Sequence, residues 1–254
     1  MKNTFSILIL ISMFSVTACQ SLQQQDLQSA KQLVMVAGAT GKTGKHMVKH
    51  LLDEGYPVRV LVRNQDKAKE MFADTVEIRV ADITDAAAVL SATRGVTYVL
   101  SAIGSAKPAG PNSPEFVDYG GVKNMVEASM AAGVDHFVLV SSLGATKKDH
   151  RLNKMFGNVM VWKLKGEDTL RASSLNYTIV RPGGLTEDEG RQGALLFAQG
   201  DAIESGRISR DDVAEISVAA LSNTSARGKT FEVIAEEGSS ERDWSDLFGQ
   251  LASD

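Results

Sequence analysis

Leu33-Val34-Met35-Val36-Ala37 runs straight into Gly38-Ala39-Thr40-Gly41-Lys42-Thr43-Gly44, and apolar side chains then recur at helical spacing as far as Glu54. A short run of consecutive apolar residues followed by a turn reads as a buried strand, and glycines spaced by two residues make a turn whose backbone can approach a ligand closely. Free amides at the start of the following helix, reinforced by the helix dipole, favour negative charge there. Strand, turn and helix together predict a pyrophosphate cradle built from Gly38, Thr40, Gly41, Thr43 and Gly44.

The rest of the chain repeats the alternation. Further strands are expected at Val58 to Val62, Val76 to Ala81, Tyr98 to Ser101, His136 to Val140 and Tyr177 to Arg181. Helices are expected at Lys42 to Glu54, Gln65 to Phe72, Ala86 to Arg94, Pro114 to Ala132 and Lys154 to Ser173. Short valine- and isoleucine-rich runs separated by helical segments specify an α/β fold, a Rossmann-type doubly wound parallel sheet. Beyond Pro182 the pattern loosens, with a helix at Asp211 to Leu221, a strand at Thr230 to Ile234 and a last helix near Trp244 to Leu251. Residues 32–254 are read as one nucleotide-binding domain whose C-terminal part, about 183–254, forms a small substrate-side lobe.

The end of the second strand discriminates between dinucleotides. An acid there accepts from a free ribose hydroxyl, whereas a base pairs with a 2′-phosphate. Here Val60-Leu61-Val62 ends on Arg63-Asn64, with Lys67 one turn further on and no acid at the strand end. A guanidinium makes a planar fork suited to phosphate, so NADP(H) is expected over NAD(H). Asp82 and Ile83, after the third strand, are placed to meet the adenine edge; an aspartate there equally suits the cap of the next helix.

With 43% apolar and 23% charged residues, the 254-residue chain can bury a full core. The balance of 27 basic and 31 acidic side chains argues against nucleic acid as a partner. One cysteine and four scattered histidines give no basis for a cysteine-rich metal site, and no metal is expected. That cysteine falls where an export signal is cut: Lys2 supplies a positive start, Phe5 to Val16 is almost wholly apolar, and Val16-Thr17-Ala18-Cys19 follows. The segment resembles a bacterial lipoprotein signal. On that reading residues 1–18 are removed, Cys19 carries the lipid that anchors the chain to a membrane, and residues 19–31 form a polar tether. Gln20 after the cysteine, rather than aspartate, favours the periplasmic side of the outer membrane by resemblance to bacterial sorting rules. An incidental cysteine in an ordinary secretory signal, or translation from Met13, are the alternatives.

Motifs in order along the chain carry a wider resemblance. GATGKTG (38–44), LVRN (61–64), ADITD (81–85), SAIGS (101–105), VDYGGVKN (117–124), FVLVSSLGA (137–145), YTIVRPGGL (177–185) and ISRDDVA (208–214) are similar to the NmrA-like, atypical short-chain dehydrogenase/reductase family. The resemblance spans residue 33 to about 235. It implies that Ala102, Gly104 and Pro182 join the cofactor site, and that Ser142 and Lys163 stand beside the nicotinamide. In the wider superfamily a tyrosine four residues before that lysine moves the proton; here the position is Val159, which has none to give.

That departure weighs against alcohol/ketone chemistry and against epimerase or lyase chemistry. Hydride transfer to a small acceptor, flavin- and quinone-like rings included, needs only positioning of the cofactor. The first expectation is therefore an NADPH-dependent oxidoreductase, and the alternative is a non-catalytic NADP(H)-binding sensor or scaffold. Tyr119 is considered as a substitute donor, with packing the commoner role for such a tyrosine; Met160 and Trp162 either line a pocket or pack.

Overall fold

The computed structural model describes residues 32–254, so the export signal, Cys19 and the tether lie outside the described residues. The apolar runs become strands: β1 (Val34–Ala37), β2 (Val58–Val62), β3 (Glu77–Val80), β4 (Tyr98–Ser101), β5 (His136–Val140) and β6 (Tyr177–Pro182). They pair in parallel in the order β3-β2-β1-β4-β5-β6. Every residue of β1, β2 and β5 is buried, because helices cover both faces and leave no reason for polar alternation.

On one face, α1 (Gly44–Asp53) and α2 (Gln65–Phe72) pack Met47, Val48, Leu51 and Phe72 into a core with Val34, Val36 and Val60. On the other, α3 (Ala86–Thr93) and α4 (Val122–Ala132) pack Val89, Met125 and Val126 against Met35, Leu61 and Val99. The chain leaves β1 in one direction through β2 and β3, then returns to place β4 on β1's other side. The carboxyl ends of β1 and β4 thus diverge at a switch point, where a crevice forms.

Two expected helices are modified. The helix expected at Lys154 to Ser173 is two, α5 (Arg151–Met155) and α6 (Val159–Arg171), separated by Gly157 and Asn158, which both have φ of +58°. A Cβ on Gly157 would lie 2.0 Å from the Pro108 carbonyl oxygen, so the chain passes too close to that loop for a side chain there. The helix expected from Pro114 opens with a π-helical stretch, Glu115–Gly121, before α4; such wide turns often occur at functional positions. Beyond Pro182, three short strands had left no clear periodic signal: β7 (Gly184–Thr186), β8 (Ala194–Ala198) and β9 (Arg207–Ser209). After α7 (Arg210–Ser222) the chain enters β10 (Lys229–Glu236), which lies parallel to β6 and antiparallel to β8 and β9, and closes with α8 (Trp244–Gly249).

His136 is fully buried in β5, its Nε2 2.9 Å from Thr178 Oγ1, and burial pushes its imidazole down to about 4. A depressed imidazole is neutral in the fold, so its contribution is complete above about pH 6.5 and is lost as pH falls toward 4. Between pH 7 and 5 this one group should cost about 2 kcal/mol of stability. Urea denaturation across that range should show the loss in the native chain and not in His136→Gln; equal slopes would contradict the assignment.

Candidate functional site

The glycine turn is built by close backbone contact. Gly38 has φ of +80°, and its carbonyl accepts the Gly41 amide at 2.9 Å. A Cβ on Gly44 would lie 2.2 Å from the Gly38 oxygen, and one on Gly38 would lie 2.7 Å from the Ala102 oxygen after β4. Both neighbours are backbone and cannot move aside cheaply, so glycine lets α1, β1 and the β4 exit meet at one point. No side chain caps the start of α1; the Lys45 amide donates to the Gly41 carbonyl and the His46 amide to the Thr43 carbonyl, both at 3.1 Å, so what the helix start offers an anion is chiefly its dipole.

Beside this junction is a cleft of about 400 Å³. Of the residues expected at the nucleotide, Gly38, Thr40, Gly41, Arg63, Asp82, Ile83, Ala102 and Gly104 line it. Gly44 serves the packing just described. Thr43 is buried, and its Oγ1 accepts from Arg210 Nη1 at 3.1 Å. Pro182 lines a different cavity, described below.

Arg63 and Lys67 form the cationic rim of the cleft. Asn64 caps α2 by accepting the Lys67 amide at 2.9 Å, and Lys67 Nζ donates to the Thr40 carbonyl at 3.1 Å. Arg63 Nη1 donates to Asn112 Oδ1 at 3.2 Å, from a loop whose Ser105, Lys107 and Asn112 also line the cleft. Nothing in those polar loop residues distinguishes them in the sequence from a solvated connection. Asp82 takes the Thr84 amide and hydroxyl on Oδ1 at 2.9 and 2.7 Å, which holds its carboxyl below the usual range. The cap of α3 belongs instead to Asp85, which accepts the Ala87 and Ala88 amides.

Further along the same sheet, after β5 and β6, a second cavity of about 360 Å³ is lined by Ser142, Lys147, His150, Arg151, Met160, Pro182 and Glu204, among others. His150 Nδ1 accepts the Leu152 amide at 3.2 Å, so the imidazole proton resides on Nε2. Lys163 is not part of this wall. Its Nζ lies 2.8 Å from Asp118 Oδ1, and the Asp118 side chain is fully buried. The other Asp118 oxygen accepts the Ser105 amide at 2.9 Å. Lys163 and Asp118 border a void of about 10 Å³ that they share with Ser141, not Ser142. Ser141 in turn donates at 2.5 Å to Glu167, a buried carboxylate that Arg181 holds at 2.6 Å. Ser142 and Lys163, paired by resemblance, therefore stand in separate pockets.

Val159 is buried. Tyr119 stacks on Trp162 with ring centroids 6.0 Å apart, and Lys165 lies 4.4 Å above the indole; neither ring lines either cavity. The two rings pack against each other. Met160, by contrast, lines the second cavity. Ser209 accepts the Asp212 amide at 2.9 Å, the helix cap its spacing suggests.

The sequence model described as NAD(P)H-binding matches residues 38–224. The chain belongs to this NAD(P)H-binding family. It is 37% identical over 230 residues to an uncharacterized chloroplastic protein of Arabidopsis thaliana, covering 86% of this chain and 82% of that one. It is 33% identical over 268 residues to sanguinarine reductase of Eschscholzia californica, covering 89% and 98%. Among solved structures, ChuY of Escherichia coli O157:H7, an anaerobillin reductase, superposes with a TM-score of 0.69 at 26% identity, covering 80% of this chain and 97% of that one.

Arg63→Ala should weaken NADPH binding by roughly 10- to 100-fold and leave NADH binding little changed, since a hydrogen bond to a charged group contributes about 1.5–3 kcal/mol. Equal losses for both cofactors in a calorimetric titration would remove Arg63 from the 2′-phosphate. Lys163→Met leaves the buried Asp118 charge without its partner and should destabilise the fold by about 3 kcal/mol. Adding Asp118→Asn should restore most of that in urea denaturation; an unaltered midpoint in the single variant would show that the pair is not structural.

Proposed function

We propose that the protein is an NADPH-dependent reductase of a small aromatic acceptor of the flavin or quinone type. The observation that carries this reading is the arrangement of two compartments along the carboxyl ends of one sheet. A nucleotide cleft rimmed by Arg63 and Lys67 is followed, past β5 and β6, by a cavity with its own polar groups. Such an order suits a dinucleotide whose adenosine end lies in the first and whose redox ring points toward the second.

The chemistry suits an acceptor that needs no strong acid. The cofactor supplies hydride to the acceptor when bound. Val159 can contribute no proton, and Lys163 is committed to Asp118. A quinone or flavin ring delocalises the charge it gains, and the product anion then takes its proton from water. A donor aimed at the developing charge is enough. His150 is suited to this role: with Nδ1 occupied by the Leu152 amide, its Nε2–H is a neutral donor in the cavity, beside the cations of Lys147 and Arg151. Relatives named as reductases of sanguinarine and of anaerobillin support the class of reaction. The second reading, a non-catalytic sensor of the NADPH/NADP ratio, is favoured by the same two facts, Val159 and the locked Lys163.

The test is NADPH consumption by the protein with a quinone and with a flavin. Turnover is expected, with kcat reduced roughly tenfold or more in His150→Phe. NADPH binding with no consumption by either acceptor would replace the reductase with the sensor.

A further inference from the structure

The second cavity carries an uneven set of charges. Lys147, His150 and Arg151 line it from the segment after β5, and Glu204 is the one carboxylate among its lining residues. Neither the Lys147 ammonium nor the Arg151 guanidinium pairs with a carboxylate among the described residues. Other arginines are differently placed: Arg171, Arg181, Arg227 and Arg242 each lie within 3.2 Å of an acidic oxygen. Two uncompensated cations and the Nε2–H of His150 thus stand on the wall of one cavity.

The segments after β6 and before β9 contribute three glycines beside Pro182, Glu204 and Ser205. Gly183, Gly184 and Gly206 line the cavity, and a Cβ on Gly183 would lie 2.7 Å from the Gly206 oxygen. A stretch of glycine backbone accommodates the face of a flat ring, while long cationic side chains reach a group at its edge. Lys147 is half-buried, and a cation in a partly enclosed cavity attracts an anion more strongly than one in open water because the local dielectric is lower; Arg151 is exposed and adds a second, more screened charge.

We infer that the acceptor bears an anionic substituent, a carboxylate or phosphate, which Lys147 and Arg151 bind while the ring lies against the glycine wall. The inference rests on the reductase reading for the word acceptor, but the pocket is testable without turnover. Flavin mononucleotide and riboflavin share one ring system and differ only in the terminal phosphate.

With the full chain saturated with NADP+, flavin fluorescence titrations should give at least tenfold tighter binding of flavin mononucleotide than of riboflavin at low salt. The ratio should shrink as salt is added. In the Lys147→Gln, Arg151→Gln double variant, checked for an unchanged melting temperature, the ratio should fall toward one. Lys147→Arg should retain it. Equal affinities in the native chain, a ratio that survives the double substitution, or no binding of either flavin would overturn the inference. Tight binding of flavin mononucleotide without NADPH consumption would instead refute the reductase reading and leave the anion pocket standing.

Discussion

The whole arrangement depends on a steric constraint at the exit of β1. Gly38, Gly44 and the Ala102 carbonyl approach so closely that a Cβ at either glycine would overlap backbone. Because they lack side chains, α1 begins directly after the end of β1, at the crevice that the switch from β1 to β4 opens. A bulkier residue would push helix from strand and close the space a pyrophosphate needs. Arg63, Lys67, Asp82 and Ile83 are then brought to the same cleft simply by being at or just beyond the ends of β2 and β3.

A second set of constraints is buried charge around β6 that serves structure. Arg181, in β6, is buried between Glu167 from α6, Glu232 at its register partner in β10, and Asp201. Burial pushes the Glu232 carboxyl up, as expected of an acid with incomplete compensation in the interior. Removing one member would leave the others charged and unpaired, so the cluster fixes how β6, β10 and α6 meet. The Asp118–Lys163 pair does the same between the π-helical turn and α6. That pair stands beside Gly104 of the first cleft, where a Cβ would lie 3.6 Å from Asp118 Oδ1 and 3.8 Å from Lys163 Nζ.

The central sheet was legible because burial on both faces writes itself as uninterrupted apolar runs, as in Val34–Ala37 and His136–Val140. The gathering of Gly38, Gly41, Arg63 and Asp82 at one cleft was legible because the turn's backbone geometry demands glycine and the other two stand just beyond strand ends. Strands β7, β8 and β9 were not: they have three to five residues each, and their partners lie far along the chain, which no local period reveals. The break before α6 was hidden for a similar reason, since it is set by contact between Gly157 and the distant Pro108. Ser142 and Lys163, carried over by family resemblance, border separate pockets because buried Asp118 holds the lysine, and nothing in the sequence sets Lys147, His150 and Arg151 apart from a solvated loop.

The central claim, that the cleft beside the glycine turn is an NADP(H) site, is tested most directly by calorimetric titration of the native full-length chain with NADPH and NADH in parallel. The account predicts saturable binding of one dinucleotide per chain, with NADPH tighter by roughly tenfold or more because Arg63 and Lys67 meet its extra phosphate. Indistinguishable affinities, or heat from neither cofactor, would contradict it.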